Sequence, residues 1–234
     1  MPPVRYIIRT FITAFLHCQH FNNMLNHVVQ QYQNQYMSRE SILAAIKKNQ
    51  PEQQALPDLN AFRRTGPGDP AAFRKVIETL GGQVFEISSY AEIQPLIAEH
   101  QPDAQRIVSL QENYLPGAMT VWEAGDGGRQ YENVDLAIIP GQFGVAENGA
   151  IWITDVEIKE RVLPFITQHL AIVVSSQDIV PTMHDAYAER IAQPGGGFGV
   201  FIAGPSKTAD IEQSLVLGAH GAKSLTVFLY SPKT

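Results

Sequence analysis

The chain is poor in the residues that cross-link proteins or hold metals: among 234 residues there is one cysteine, Cys18. A single thiol excludes an intrachain disulfide and cannot supply the cysteine set of a zinc or iron–sulfur site. Any cluster used by a redox partner of this chain therefore belongs to the partner. Such sparing use of cysteine fits a reducing cytoplasm. Positive charge is scarce too, with 17 Lys and Arg against 23 Asp and Glu and a formal net charge of −6. That balance excludes nucleic-acid binding driven by a broadly basic surface, though not a compact basic pocket. Long apolar runs are also missing. None approaches the roughly 18–20 residues of a membrane-spanning helix, so no membrane span is expected.

What is present, 44% hydrophobic and 17% charged residues, suits one globular domain with a sizeable core. The first 36 residues read as a separate piece, carrying Arg5 and Arg9, no acid, and a tail rich in Gln, Asn and His. Arg9 interrupts the apolar core that a signal peptide needs, and no Ala-x-Ala follows. An amphipathic presequence and an extension upstream of a start at Met37 both stay open, and the expectation is that folding begins at Met37. Residues 37–69 are expected to hold a short helix, capped by Ser38 or Ser41 and ended before Pro51, and then a Pro- and Gly-rich linker.

From residue 70 to 234 the pattern is that of a layered α/β domain. Asp69-Pro70 is an N-cap followed by proline in the first helical turn, and Phe73, Val76, Ile77 and Leu80 recur at helical spacing before Gly81-Gly82. A strand QVFEI, a second helix capped at Ser88 or Ser89, and a strand RIVSL follow, the rhythm of a parallel sheet. The runs VDLAIIP, AIWITD, HLAIVVS, FGVFIAG and SLTVFLY add five more strands, several apolar on both faces as buried strands are. A helix is expected over IVPTMHDAYAERIAQ. The expected architecture is a three-layer α/β/α sandwich with a mostly parallel sheet and one antiparallel element around Glu147.

Several clusters could carry chemistry. FGVFIAG runs into Gly204-Pro205-Ser206-Lys207-Thr208 and then an acidic stretch expected to open a helix. Ligands of open α/β sheets bind at the carboxyl ends of strands. Gly204 allows close approach, Ser206 and Thr208 supply hydroxyls, and Lys207 supplies a cation for a carboxylate or phosphate. The plain alternative is a turn whose hydroxyls cap the helix; the spacing is not that of a P-loop. His220, between small residues, is an accessible imidazole suited to acid–base work, or simply exposed. His169 opens a strand, where backbone bonding is the ordinary use of a histidine. Asp155, Glu157 and Glu160 are expected on a solvated face, with no metal-ligand spacing around them. Glu147 precedes Asn148-Gly149, a strong two-residue hairpin signal. It is either a turn-flanking residue or a carboxylate held out on a rigid loop.

Three of these stretches together, GPSKTADIEQSLVLGAHGA (204–222), GVAENGAIWI (144–153) and ERVLPFITQHLAIVV (160–174), resemble the lactate utilization protein C family of LUD-domain proteins. That family's signature reads Gly-Pro-Ser-Lys/Arg-Thr-Ala-Asp-Ile-Glu followed by a Gly-x-His-Gly-Pro turn. The likeness runs roughly from Met37 to Pro232. Ala222 stands where the family has Pro, and Asn148 where it has Thr. The resemblance implies the sheet-based fold shared by glucosamine-6-phosphate deaminase, ribose-5-phosphate isomerase and CoA transferases. It also implies a cluster-free member of a three-protein system that oxidises L-lactate to pyruvate, with iron–sulfur proteins as partners and no cofactor bound by this chain. In that reading Gly204, Ser206, Lys207 and Thr208 hold a small anionic ligand, with Glu147 and His220 facing the same pocket.

Two other readings compete. Class I CoA transferases on the same fold carry Ser-Glu-Asn-Gly, which Ala146-Glu147-Asn148-Gly149 resembles; Glu147 would then attack an acyl thioester, with backbone N–H groups near Gly144 or Gly149 stabilising the oxyanion. The third reading is a non-catalytic assembly factor.

Overall fold

The computed structural model describes residues 23–24, 26–27, 39–55, 57–64, 66–118, 127–158, 160–191, 197–211 and 214–232. The expectations for residues 1–36 and the Ser38 cap fall wholly or largely outside these. The chain divides into two units, Met1–Pro57 and Asp58–Thr234. The first contains helix α1 (Arg39–Lys48), which opens with Glu40, closes with Lys47 and Lys48 and buries no residue. Its charges match the helix dipole at both ends. Among the described residues, no helix is long and apolar enough to cross a membrane.

The second unit is organised by a five-stranded, wholly parallel sheet. Its order is β1 (Gln83–Ile87), β11 (Ser224–Tyr230), β6 (His169–Ser175), β3 (Leu136–Pro140) and β2 (Ile107–Ser109). Burial is most complete at the centre of the sheet, where β6 and β11 bury five consecutive residues each. Side chains alternate between faces. Leu170, Ile172 and Val174 of β6 join one core cluster with Leu225, Val227 and Leu229 of β11, while Ala171, Val173 and Phe228 join another.

Different layers cover the two faces. On the second, helix α3 (Ile93–His100) contributes Ile93 and Ile97, beside Tyr114 and Leu115. Its entry is a capping box, Ser89 accepting from Ala91 N–H and Glu92 accepting from Ser88 and Ser89 N–H. On the first face, helix α2 (Pro70–Thr79) contributes Phe73 and Ile77, both fully buried. Asp69 caps it as the sequence predicts, accepting Ala71 N–H at 2.9 Å. The rest of that face is covered by a second sheet, in the order β7 (Ile179–Val180), β4 (Phe143–Val145), β5 (Ile151–Thr154) and β8 (Gly199–Ile202). Here β4–β5 and β5–β8 run antiparallel and β4–β7 parallel. The antiparallel element around Glu147 is thus part of a whole sheet. The short strands β4 and β7 had no apolar run long enough to announce them.

Three local expectations are corrected. Lys207–Ile211 is not a helix but strand β9, paired antiparallel with β10 (Ser214–Leu217). The preceding residue explains it: Ser206 N–H donates to Ala222 carbonyl and its carbonyl accepts Gly218 N–H, so the chain is held extended. The Glu147 turn is wider than a two-residue hairpin. Val145 N–H reaches Ala150 carbonyl and Gly149 N–H reaches Val145 carbonyl, with Gly149 at φ +68°. A Cβ on Gly149 would press on Ile77 Cδ1 at 3.1 Å, so the turn takes the shape that fits α2. Lastly, Asp155 is not merely solvated. It accepts Phe198 N–H at 3.0 Å and pairs with Arg161, which together hold its carboxyl below the usual range.

Helix α4 (Leu163–Ile166) leads into β6, where His169 Nδ1 lies 2.7 Å from Ser224 Oγ across the β6–β11 pair. Burial, helped by Lys223, pushes the imidazole below its ordinary value, against the pull of Asp135. As pH falls through about 6.5 the unfolded chain takes up a proton that the native imidazole resists, so this contribution to stability is full above that pH and lost below it. Urea midpoints measured across this window are expected to fall with acidification in the wild type, and less so in His169→Gln. Phe73→Ala, which empties the contact between α2 and both sheets, is expected to cost about 3–5 kcal/mol in the same assay at neutral pH.

Candidate functional site

Ile151 at the start of β5 pairs with Ile202 at the end of β8. The Glu147 turn and the Gly204–Lys207 turn therefore leave the second sheet at the same end. There the side chains part company. Lys207 is exposed, and its Nζ donates to the Leu80 carbonyl, at the carboxyl end of α2, where a cation is favoured by the helix dipole. Gly204, at φ +75°, rests on Leu80, whose Cβ a side chain would meet at 3.0 Å. Ser206 is bonded through its main chain to the 218–222 loop, and Gly221 lies against its Cβ. Exposed His220 sits on that same loop, and Thr208, half-buried, follows in β9 opposite Val216. The structure thus brings the Gly204, Ser206 and Lys207 turn together with the His220 loop, as a knitted surface ridge on the end of α2.

Glu147 points elsewhere. Its Oε2 accepts Met183 N–H at 2.9 Å, the first residue of helix α5 (Met183–Asp185), which continues as a π-helical turn over Ala186–Arg190. The turn's own amides are committed as well: Ala146 N–H to Val180 carbonyl, Glu147 N–H to Pro181 carbonyl, and Gly149 N–H to Val145 carbonyl. The oxyanion donor expected from Gly149 is therefore occupied, which weighs against thioester chemistry at this turn. The geometry makes Glu147 a capping carboxylate with one oxygen left for other work.

Glu147 also lines a cavity of about 570 Å³, with Arg64, Gly68, Asp69, Ala146 and Thr182 and neighbouring Pro and Ala residues. Lys207 and His220 do not line it. Behind its wall lies Asp185, 1% exposed, which takes the Thr182 hydroxyl at 2.6 Å and Arg64 N–H at 3.3 Å on Oδ2. Asp185 Oδ1 has no hydrogen bond, and Arg63 Nε stands 3.7 Å from it. Although burial disfavours its charge, these partners leave its carboxyl below the ordinary range. Residues 58–64 and 66–68, expected to be a mere linker, are thus a strap fastened along one side of the cavity. The adjacent pair Arg63-Arg64 in a Pro- and Gly-rich stretch was the available signal for it. Nothing local marks Asp185 as buried.

A parallel α/β core backed by a mixed second sheet, with its loops gathered at one end, defines the class of protein. The family model for the LUD domain matches residues 36–230, and the chain belongs to that family. It is similar to Lactate utilization protein C of Bacillus pumilus, 32% identical over 115 residues that cover 44% of this chain and 47% of that one. It is similar also to the protein of that name from Geobacillus sp. (strain WCH70), 28% identical over 152 residues, 59% of this chain and 63% of the relative. The chain spans about half the length of most of the curated relatives it matches. A DUF162-family protein from Deinococcus radiodurans shares the fold, with a TM-score of 0.53 at 19% identity over 69% of this chain and 95% of that one.

Glu147→Ala is expected to destabilise the protein by about 1 kcal/mol, the usual worth of a helix-capping acceptor, while Glu147→Gln keeps most of it. Urea denaturation of both variants checks this.

Proposed function

We propose that this chain serves a lactate-oxidising system as the member that holds no iron–sulfur cluster, docking cluster-bearing partners and taking a small anionic ligand. The observation that carries the reading is the LUD match over residues 36–230 together with the similarity to proteins named Lactate utilization protein C. The single cysteine agrees with it, since cysteine-ligated iron–sulfur clusters in such a system must then sit on other chains. The ridge built by Gly204, Ser206, Lys207, Thr208 and His220 is the surface we assign to ligand or partner contact. It carries a lysine, an imidazole and hydroxyls on one exposed end of the fold.

The test is removal of the gene from its host and growth on L-lactate as sole carbon source. Growth should fail and be restored by the wild-type gene, and restored poorly by Lys207→Ala. Anaerobic purification of the tagged wild-type protein from lactate-grown cells should bring down cysteine-rich proteins with the visible absorbance of iron–sulfur clusters. Unimpaired growth of the deletion strain would remove the lactate assignment. A colourless protein purified alone, from cells that do need the gene, would leave the assembly-factor or stand-alone enzyme readings.

A further inference from the structure

The strap beside the cavity is seated at its base and latched further out, by contacts of different kinds. The base is wedged into the fold. Gly68 N–H donates to the Ile179 carbonyl at 2.7 Å, and a Cβ on Gly68 would come within 2.6 Å of the Val180 carbonyl. Residues 58–64 are held otherwise. All of them are exposed, Leu59 at 48% and Phe62 at 58%, so apolar burial, the main stabilising term in folding, does little to keep this part down.

What keeps it down is a few polar and ring contacts to one helical piece, α5 and its π-helical continuation. Arg63 pairs with Glu189 at 2.8 Å and stands 3.7 Å from Asp185, and Arg64 N–H donates to Asp185 at 3.3 Å. Phe62 stacks on His184 with ring centres 5.4 Å apart. Exposed ion pairs contribute little to stability, and segments fastened this way open at low cost. The receiving side is the fixed one. Asp185 is 1% exposed and takes the Thr182 hydroxyl at 2.6 Å, while its Oδ1 has no hydrogen bond.

Between base and latch lies a pivot. Gly66 has φ +113°, a conformation that L side chains rarely adopt, and a Cβ there would meet nothing within 4 Å. The backbone angle requires this glycine; no neighbour does. A torsional change at Gly66 would lift residues 58–64 off α5 with Gly68 still seated. Because Arg64 forms part of the cavity wall, the same movement would open the cavity.

We infer that residues 58–64 are a lid on the cavity beside Glu147, swinging about Gly66 and latched on the Asp185 carboxylate. The inference is independent of the lactate reading and of what the cavity holds.

The experiment is residue-resolved amide exchange of the full chain by NMR, joined to thiol labelling of Ala72→Cys in a Cys18→Ser background. Ala72 lines the cavity from α2, and Cys18 is the chain's one native thiol. After correction for intrinsic rates, Arg64 N–H should exchange about tenfold or more faster than Gly68 N–H, since lid opening frees the first and only a deeper opening frees the second. Gly66→Ala strains the closed backbone without touching a neighbour. It should speed both Arg64 exchange and thiol labelling about fivefold or more, with Gly68 exchange as in wild type. Glu189→Gln, which removes one exposed latch contact, should act in the same direction by a smaller factor. Three results would overturn the inference. Arg64 N–H exchanging at the rate of an unstructured chain would mean that nothing is latched. Arg64 and Gly68 exchanging together, in wild type and in Gly66→Ala, would mean that strap and base open as one. Thiol labelling unchanged by Gly66→Ala in folded protein would mean that the segment does not cover the cavity.

Discussion

Helix α2 lies against two glycines of the Glu147 hairpin, and the rest of the second unit is arranged around that contact. A Cβ at Gly144 would strike Phe73 at 2.8 Å, and one at Gly149 would crowd Ile77 and Val76. With both side chains absent, Phe73 and Ile77 sink to full burial between the parallel sheet and the second sheet. Dispersion contacts of this density are weak one by one and large in sum, and they tolerate little change of shape. The helix thereby shares one core with both sheets.

Both ends of the same helix are then used electrically. Asp69 stands at the amino end and Lys207 at the carboxyl end, each opposite in sign to the helix pole it meets. The capping carboxylate Glu147 does the same for α5. Residues that look reactive in isolation are in this fold partly engaged in satisfying helix ends. The consequence is a division of labour. The Gly204–Thr208 turn and the His220 loop form a ridge seated on α2, while the open space lies near the other end, beneath the strap that Arg63 and Asp185 fasten. Arg64, whose side chain makes no ion pair or hydrogen bond among the described residues, lines that space.

The family signature over 204–222 and the strand-and-helix rhythm from Asp69 onward were legible because they depend on neighbours in the chain. The cap at Asp69, the capping box at Ser89, and the strands QVFEI, HLAIVVS and SLTVFLY all follow from local spacing, and the structure keeps them. The family and its α/β core were readable from the same residues. Short strands were not. β4 and β7 have three and two residues, too few for a period to show.

The sequence by itself determined the buried parallel strands, the main helices and the absence of a cysteine set for clusters, since periodicity, caps and composition are properties of contiguous residues. Tertiary structure alone decided that Lys207 would sit on a helix carbonyl and in a strand, that Glu147 would cap α5, and that a supposed linker would present Arg64 to a cavity. Each of those outcomes turns on partners far along the chain: Leu80 for Lys207, Met183 for Glu147 and Asp185 for Arg64. No local pattern records which distant carbonyl, amide or carboxylate will be brought within hydrogen-bonding reach. Only tertiary packing brings them there.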